Sequence, residues 1–430
     1  MHLTERFLYH IWDAQHIVEE LTTISHKKMK ILFPGRWNTD SGPDFKDAII
    51  EIDGEVMRGD VEIELETYNW KVHEHHENPA FNSVILQVVY EHNGQYKFNF
   101  NEDGTQFEIL ELKDFLNQDI NKLTKKYLGK NKQTISKSCR LINNMNQEKF
   151  RSFLIELGNE RFYKKIKRFT AEHYFADFEQ LLYQGLLESL GYSKNKYQMI
   201  QLAMKIPYKK IKQLYTDGMK KDHLIALYLC SSDLINHLPS TFPLELKNKW
   251  IDLFHEMKLN PDQIPINWKL FRIRPVNHPA IRILQVVEIL YRSLETSIFK
   301  EVLKLFSFSI ANFKLSELKK KNYNYFQTTP DFLPEKYKLG KTRIDTIVVN
   351  IILPLIIVYA KEKSYADLEQ NILKVYQKYP GLPKNYITNF MENFLPDPYK
   401  KIVNRKAINQ QGIIKLYFDQ CKYHDCEECS

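Results

Sequence analysis

The chain has 430 residues, of which 43% are hydrophobic and 13% aromatic, with 26 Phe and 25 Tyr against only 14 Gly and 17 Pro. That length exceeds what one hydrophobic core usually serves, so two domains are expected, and the composition excludes long disordered tracts. Sixty-one Lys and Arg against 53 Asp and Glu leave a net charge of +8, which suits a polyanionic partner without requiring one.

The opening residues carry no basic segment followed by an apolar run and a small-residue cleavage site, so a cytoplasmic protein is expected. Residues 5–21 begin the fold as an amphipathic helix, with Phe7, Leu8, Ile11 and Trp12 at helical spacing. Strand patterns follow: residues 48–53, a turn at Gly54, residues 56–58, and then residues 61–66 in strict alternation. Val61, Ile63 and Leu65 share one face of that strand, and Glu62, Glu64 and Glu66 share the other. Residues 83–90 are almost continuously apolar, as in a central strand covered on both faces. Residues 96–100 and 106–112 read as a hairpin around Asp103-Gly104.

Past residue 115 the texture changes, with Lys122, Lys125, Lys126, Lys130, Lys132 and Lys137 crowding a segment that has few apolar residues. The chain is therefore expected to be α+β. An N-terminal α/β domain with a mixed sheet (1–115) leads through a basic connector (116–145) to an irregular, mainly α-helical domain (146–430) with a Cys-rich tail. Helices are predicted over residues 147–175, 178–190, 194–204, 223–228 and 279–293. The apolar run 347–360 contains Asn350 and Pro354 and is shorter than the ~20 residues that cross a bilayer, so a buried helix and no membrane partner are expected.

The chemistry concentrates near Asp44. Alternation puts the Glu62 and Glu64 carboxylates roughly 6 to 7 Å apart on one strand face, able to converge on a single cation. Asp44, just before the adjacent strand, supplies a third oxygen. Such hard ligands select Mg²⁺ or Mn²⁺, which polarise a phosphodiester and lower the pKa of an attacking water. The plainer reading is a solvated strand face, although three acids with few cations beside them repel one another. His73, His75 and His76 follow in a turn before the central strand, where imidazole serves as metal ligand or general base, or as an exposed polar loop.

Other clusters are less specific. Cys421, Cys426 and Cys429 have a Cys-x4-Cys-x2-Cys spacing that fits Zn²⁺ or an iron–sulfur cluster, with His424 or Cys139 as the fourth ligand, or a reduced tail. Arg272 and Arg274 precede a Pro-bounded helix start and fit either phosphate contact or a tertiary clamp. The Lys164, Lys165, Lys167 and Arg168 run fits sequence-neutral phosphate contacts or a wet helix face. No P-loop, dinucleotide fingerprint or nucleophile elbow is present, so no small-molecule cofactor is expected.

Asp44, a strand and turn, and Glu62-x-Glu64 after an N-terminal helix resemble the core of the PD-(D/E)XK nuclease superfamily. The position matching that superfamily's lysine is Glu64, as in restriction endonucleases with Glu there. The resemblance implies a metal on Asp44, Glu62 and Glu64, with Lys46, Lys71 or a second metal replacing the lysine. Asn38-Thr39-Asp40-Ser41-Gly42-Pro43-Asp44-Phe45, Gly59-Asp60-Val61-Glu62-Ile63, Trp70, His73, His75 and Val84-Ile85-Leu86 further resemble an uncharacterised bacterial domain-of-unknown-function family, number 2851. Later matches are Arg274-Pro275-Val276-Asn277 with Pro279 and Arg282, Asn350 with Pro354-Leu355, and the cysteine-bearing tail. That family commonly has His where this chain has Glu64 and Gln87, and the kinship implies no particular activity.

The expected function is a metal-dependent, nuclease-like protein acting on or binding nucleic acid. Asp44, Glu62 and Glu64 hold the metal. His73, His75 or Gln87 position water or substrate, and Lys46, Lys71, Arg272 and Arg274 are the candidate nucleic-acid contacts. Two alternatives stand beside it: a non-catalytic nucleic-acid or protein interaction module on the same scaffold, and a zinc hydrolase acting on another substrate.

Overall fold

The computed structural model describes residues 3–129, 139, 141, 145–239, 242–258, 266–307 and 314–423. Helix α1 (Glu5–Ala14) is capped by Thr4, whose side chain accepts from the Phe7 amide. It stops well before residue 21 because Gln15 turns left-handed, at φ 57°, and its amide closes on the Ile11 and Trp12 carbonyls.

Eight strands then form one mixed sheet. They are β1 (Leu21–Thr22), β2 (Lys28–Phe33), β3 (Arg36–Trp37), β4 (Phe45–Ile52), β5 (Glu55–Glu66), β6 (Val84–Glu91), β7 (Phe98–Phe100) and β8 (Gln106–Glu111). The order across the sheet is β1-β2-β4-β5-β6-β8-β7, with β3 paired to β4. Asp53 and Gly54 both take positive φ (49° and 86°), the backbone of a tight hairpin turn, and join β4 to an antiparallel β5. The two strand pieces expected around residue 59 are one strand of 12 residues. β6 runs parallel to both β5 and β8, which requires a crossover between residues 66 and 84.

That crossover decides the chemistry of the sheet. One face packs Phe7, Leu8, Ile11 and Trp12 of α1 with Val61, Ile63, Leu86, Val88 and Leu110. The crossover carries a single helical turn, α2 (Asn69–Val72), and brings Trp70 and Phe81 onto Val84 and Phe107 as a second, smaller apolar cluster. Trp70 is fixed there by its indole N–H, which donates to the Phe100 carbonyl at 3.1 Å. Glu62 and Glu64 therefore lie under a lid of chain and not in solvent.

The segment expected as a connector begins with helix α3 (Ile120–Leu128), capped by the Asp119 carboxylate. Its Leu123 is fully buried in the α1–sheet core, so this part belongs with the N-terminal domain. The second half is helical, as the apolar periodicity predicts: α4 (Gln147–Glu172), α5 (Phe178–Leu190) and the helices Lys196–Lys205, Lys221–Ser231 and Pro279–Ser293. Residues 341–362 make a continuous helical run that includes a π turn, Val348–Ile352. With the turn before it, this run is long and apolar enough to cross a membrane by length and composition, and 78% of its most apolar window is buried within the domain. The buried helix expected from residue 347 is present.

α4 packs both on β2 and on the helix Ala407–Asp419. A pair of glycines makes the second contact close. A Cβ at Gly158 would stand 2.3 Å from the Ile408 carbonyl oxygen, and one at Gly412 would stand 2.1 Å from that of Leu154. An ion pair of 2.7 Å between Arg36 and Glu172 ties the sheet to α4.

Candidate metal centre

Asp44 and Glu62 hold one another through the backbone. The Asp44 amide donates to Glu62 Oε2 at 3.1 Å, and the Ile63 amide donates to Asp44 Oδ2 at 2.9 Å. These two bonds bridge the start of β4 to β5 and aim both carboxylates to the same side. Glu64 lies one pleat further along β5, 1% exposed, while Glu62 is 7% exposed. Glu66, at the strand end, is exposed, so the solvated-face reading holds for it alone.

The imidazoles arrive from the crossover. α2 ends at His73, Glu74 takes a left-handed φ of 59°, and a 3₁₀ turn, His75–Glu77, follows. This reversal lets His73 and His75 face the same acids although they are two residues apart. His73 Nδ1 lies 3.0 Å from Glu64 Oε1, and His75 Nε2 lies 3.3 Å from Glu62 Oε1 and 3.8 Å from Glu64 Oε1. One ligand atom each from Glu64, His73 and His75 fall within 4.8 Å of one another. The His75 ring is stacked on Phe81 at a centroid distance of 4.0 Å and set edge-on to Trp70, which fixes its orientation.

Gln87, fully buried on β6 opposite Glu62, donates to Glu64 Oε2 and to the Thr67 carbonyl, and accepts from Asn99 at 2.7 Å. Every polar atom of its side-chain amide is thereby committed. Gln87→Leu is expected to weaken divalent-metal affinity about 10–100-fold, the usual effect of removing a ligand's hydrogen-bond partner, as read by titration calorimetry.

The electrostatics of the cluster are unbalanced. Among the described residues no Lys or Arg pairs with Asp44, Glu62 or Glu64, since Lys46 reaches instead to Asp60 at 2.8 Å. Burial raises the Asp44 carboxyl above its ordinary range, and the Glu62 charge raises it further. Burial likewise raises Glu62, and pushes Glu64 up to about 9 against its accepted bond from Gln87. From α1, Glu5 adds like charge, and Tyr9 directs its hydroxyl at Asp44. Burial lowers the pKa of His75, keeping its ring neutral and able to ligate. The donor set, three carboxylates and two imidazoles with no Lys or Arg ion-paired to them among the described residues, fits a divalent ion.

The remaining sequence candidates are dispersed. Lys71 is exposed, over the Tyr96 ring at 4.8 Å. Arg272 and Arg274 are also exposed, Arg272 lying over the Phe271 ring. The clamp in that region is made by Arg282, which donates to Asn277 and to the Tyr192 hydroxyl, both at 2.6 Å. Cys421 is half-buried on a 3₁₀ turn, while His424, Cys426 and Cys429 lie outside the described residues. Tyr9 and Glu5 were not among the sequence candidates, and their i, i+4 spacing on α1 is the signal that places them on one helix face.

The arrangement defines an α+β protein with a carboxylate–imidazole centre on the central strands of a mixed sheet, its glutamates buried and its His73 exposed. A model of the family "Protein of unknown function (DUF2851)" matches residues 5–384, and the chain belongs to that family. No curated protein and no solved structure matches the chain.

Proposed function

We propose that this protein is a metal-dependent, nuclease-like enzyme acting on nucleic acid. The observation that carries the reading is the burial of Glu62 and Glu64 beside a half-buried Asp44, next to two imidazoles and, among the described residues, with no Lys or Arg ion-paired to them. The local order supports it: a helix, an acid at the head of one strand, Glu-x-Glu on the next, then parallel strands, as the PD-(D/E)XK resemblance implies.

Glu64, His73 and His75 would hold a divalent cation, with Asp44 and Glu62 as the adjoining oxygen donors. The presence of nitrogen donors favours Mn²⁺ over Mg²⁺. Bound there, such an ion supplies Lewis acidity toward a phosphate oxygen and makes an attacking water more acidic. The chain's own groups do the rest. Trp70 and Phe81 exclude water from one side and fix His75. Gln87 holds Glu64 in place, and Tyr9 orients Asp44. Glu62, bonded to the Asp44 amide, leaves Oε1 beside His75, and that pair can accept and pass on a proton from a water molecule.

The test is incubation of purified chain with labelled DNA and RNA in Mn²⁺ or Mg²⁺, beside Asp44→Asn and Glu62→Gln. Cleavage that is absent from the wild type, or that persists in both variants, removes the catalytic reading. Metal and nucleic-acid binding without cleavage would leave the interaction-module reading in its place.

A further inference from the structure

Between the β1–β2 edge of the sheet and the helical domain lies a cavity of about 1410 Å³. Its helical wall carries Arg161, Lys164, Lys165 and Arg168 of α4, together with Lys196 and Arg343. None of Asp44, Glu62, Glu64, His73 or His75 lines it, so it is distinct from the acidic centre. The volume exceeds the ~300–1,000 Å³ usual for small-molecule pockets.

The charges on this wall are only partly answered. Arg168 is neutralised by Glu188, with an N···O distance of 3.1 Å in one arm of a two-pronged pair, and by Glu172. Arg161 and Lys165, one turn apart, instead converge on a single neutral oxygen. Gln411 Oε1 accepts from Arg161 at 3.0 Å and from Lys165 at 2.7 Å. Lys165 donates its second bond to Asn350 Oδ1. Among the described residues neither cation pairs with a carboxylate, and the Lys164 and Lys196 side chains make no direct ion pair or hydrogen bond, with Glu188 near Lys196 and Asp13 and Asp419 near Lys164 as their acidic neighbours. Like charges held together on neutral amides leave guanidinium and ammonium donors open to an anion.

The supporting residues are built for this. Gln411 is 4% exposed, and the close Gly158 and Gly412 contacts bring its helix against α4. Asn350 sits in the π turn Val348–Ile352. Pro354 has no amide to return to the Asn350 carbonyl, so the helix opens by one residue there, and π turns of this kind recur at functional sites. The Asn350 side-chain amide is tied back to the Thr346 carbonyl at 2.9 Å, leaving its oxygen for Lys165. Tyr192 also lines the wall, its ring already held by the Arg343 guanidinium at 3.5 Å and the Arg282 guanidinium at 5.0 Å from its centre. A smaller cavity of about 280 Å³ shares Lys196 with the large one and is lined by residues 38–40, in the loop that leads into Asp44. The cationic wall therefore continues toward the acidic centre.

We propose that the large cavity holds the phosphate backbone of a single-stranded nucleic acid, with Arg161, Lys165 and Lys196 on the phosphates and Asn350 and Gln411 presenting Lys165. A positive groove that tracks the backbone is the electrostatic part of the form that single-strand sites take. The choice of a strand over a free phosphate rests on the phosphodiester reading of the acidic centre; the cavity's affinity for phosphate does not.

The test is fluorescence anisotropy of the full chain with a labelled oligothymidylate of about 20 nucleotides, in EDTA, between about 50 and about 200 mM salt. Wild type is expected to bind with a steep salt dependence. Arg161→Gln with Lys165→Gln is expected to weaken binding about tenfold or more and to flatten the log–log salt slope by about 0.7 per lost phosphate contact. Lys196→Gln, at a solvent-accessible side chain with no hydrogen bond to lose and only a longer-range attraction to Glu188, is expected to remove about one such increment while shifting the melting temperature less than the double substitution does. Equal affinity and slope in all variants would overturn the proposal, as would pyrophosphate binding without oligonucleotide binding. Binding that survives Glu62→Gln but not the cavity substitutions supports it even if no cleavage is ever seen, which separates this inference from the catalytic one.

Discussion

Asp44→Asn and Glu62→Gln are each expected to lower Mn²⁺-dependent cleavage of a labelled strand by about 10³-fold or more, a loss of about 4 kcal/mol of transition-state stabilisation. Both substitutions are isosteric, so the interlocking geometry is kept while the charge goes. An Asn at 44 still accepts from the Ile63 amide, and a Gln at 62 still accepts from the Asp44 amide. The loss must then come from weakened cation binding and from the missing proton acceptor beside His75. Lys71→Ala, an exposed residue outside the cluster, is expected to leave the rate within about twofold. Unchanged circular dichroism and melting in all three variants would show that the comparison reads chemistry and not folding.

The second large effect is on stability against pH. Burial raises the folded-state pKa of all three carboxyls, Glu64 to about 9 from an ordinary 4.5. A raised folded pKa means that the folded state keeps its protons longer than the unfolded chain does. The stability tied to those protons is complete below the ordinary carboxylate range and is lost progressively as pH climbs toward 9. The metal-free protein is therefore expected to melt at a lower temperature at pH 8.5 than at pH 5. A divalent ion competes with the same protons, so saturating Mn²⁺ is expected to raise the melting temperature by about 3 °C or more at pH 8.5 and by less at pH 5. Glu64→Gln removes the largest of these raised groups and is expected to flatten both the pH slope and the Mn²⁺ effect, read by differential scanning fluorimetry across the pH range.

Much of the fold could be read along the chain because periodicity and burial agree there. The alternation of residues 61–66, the apolar run of residues 83–90 and the Asp103-Gly104 turn each map onto a strand or its hairpin. The helices Phe178–Leu190 and Pro279–Ser293 begin and end where their cap residues and prolines indicate. Strand β2 was not anticipated, although Met29 and Ile31 alternate with Lys28 and Lys30; its pairing with β4 completes the pattern.

The centre itself was legible in its acids and obscure in its environment. Alternation puts Glu62, Glu64 and Glu66 on one face, but alternation does not state what covers that face. The cover comes from Trp70 and Phe81, brought in by a crossover whose path depends on parallel pairing between β5 and β6. The same limit applies to Lys164, Lys165 and Arg168. On one helix they read as a wet stripe, and only the packing of α4 against the sheet and the last helix encloses part of that stripe in a cavity. Arg272 and Arg274, which looked equally cationic, stay on the surface in the segment ahead of the helix Pro279–Ser293, whose own first turn is buried. Local spacing names the residues that share a face, and long-range packing decides whether that face is solvent, core or site.

The most direct test of the buried centre is a calorimetric Mn²⁺ titration of the metal-free chain at pH 7.5, run beside Glu64→Gln and His75→Ala. The carboxylate–imidazole arrangement predicts one Mn²⁺ per chain, with proton release on binding, and affinity lower by about 100-fold or more in each variant. Absence of binding, or binding that both substitutions leave unchanged, would contradict it.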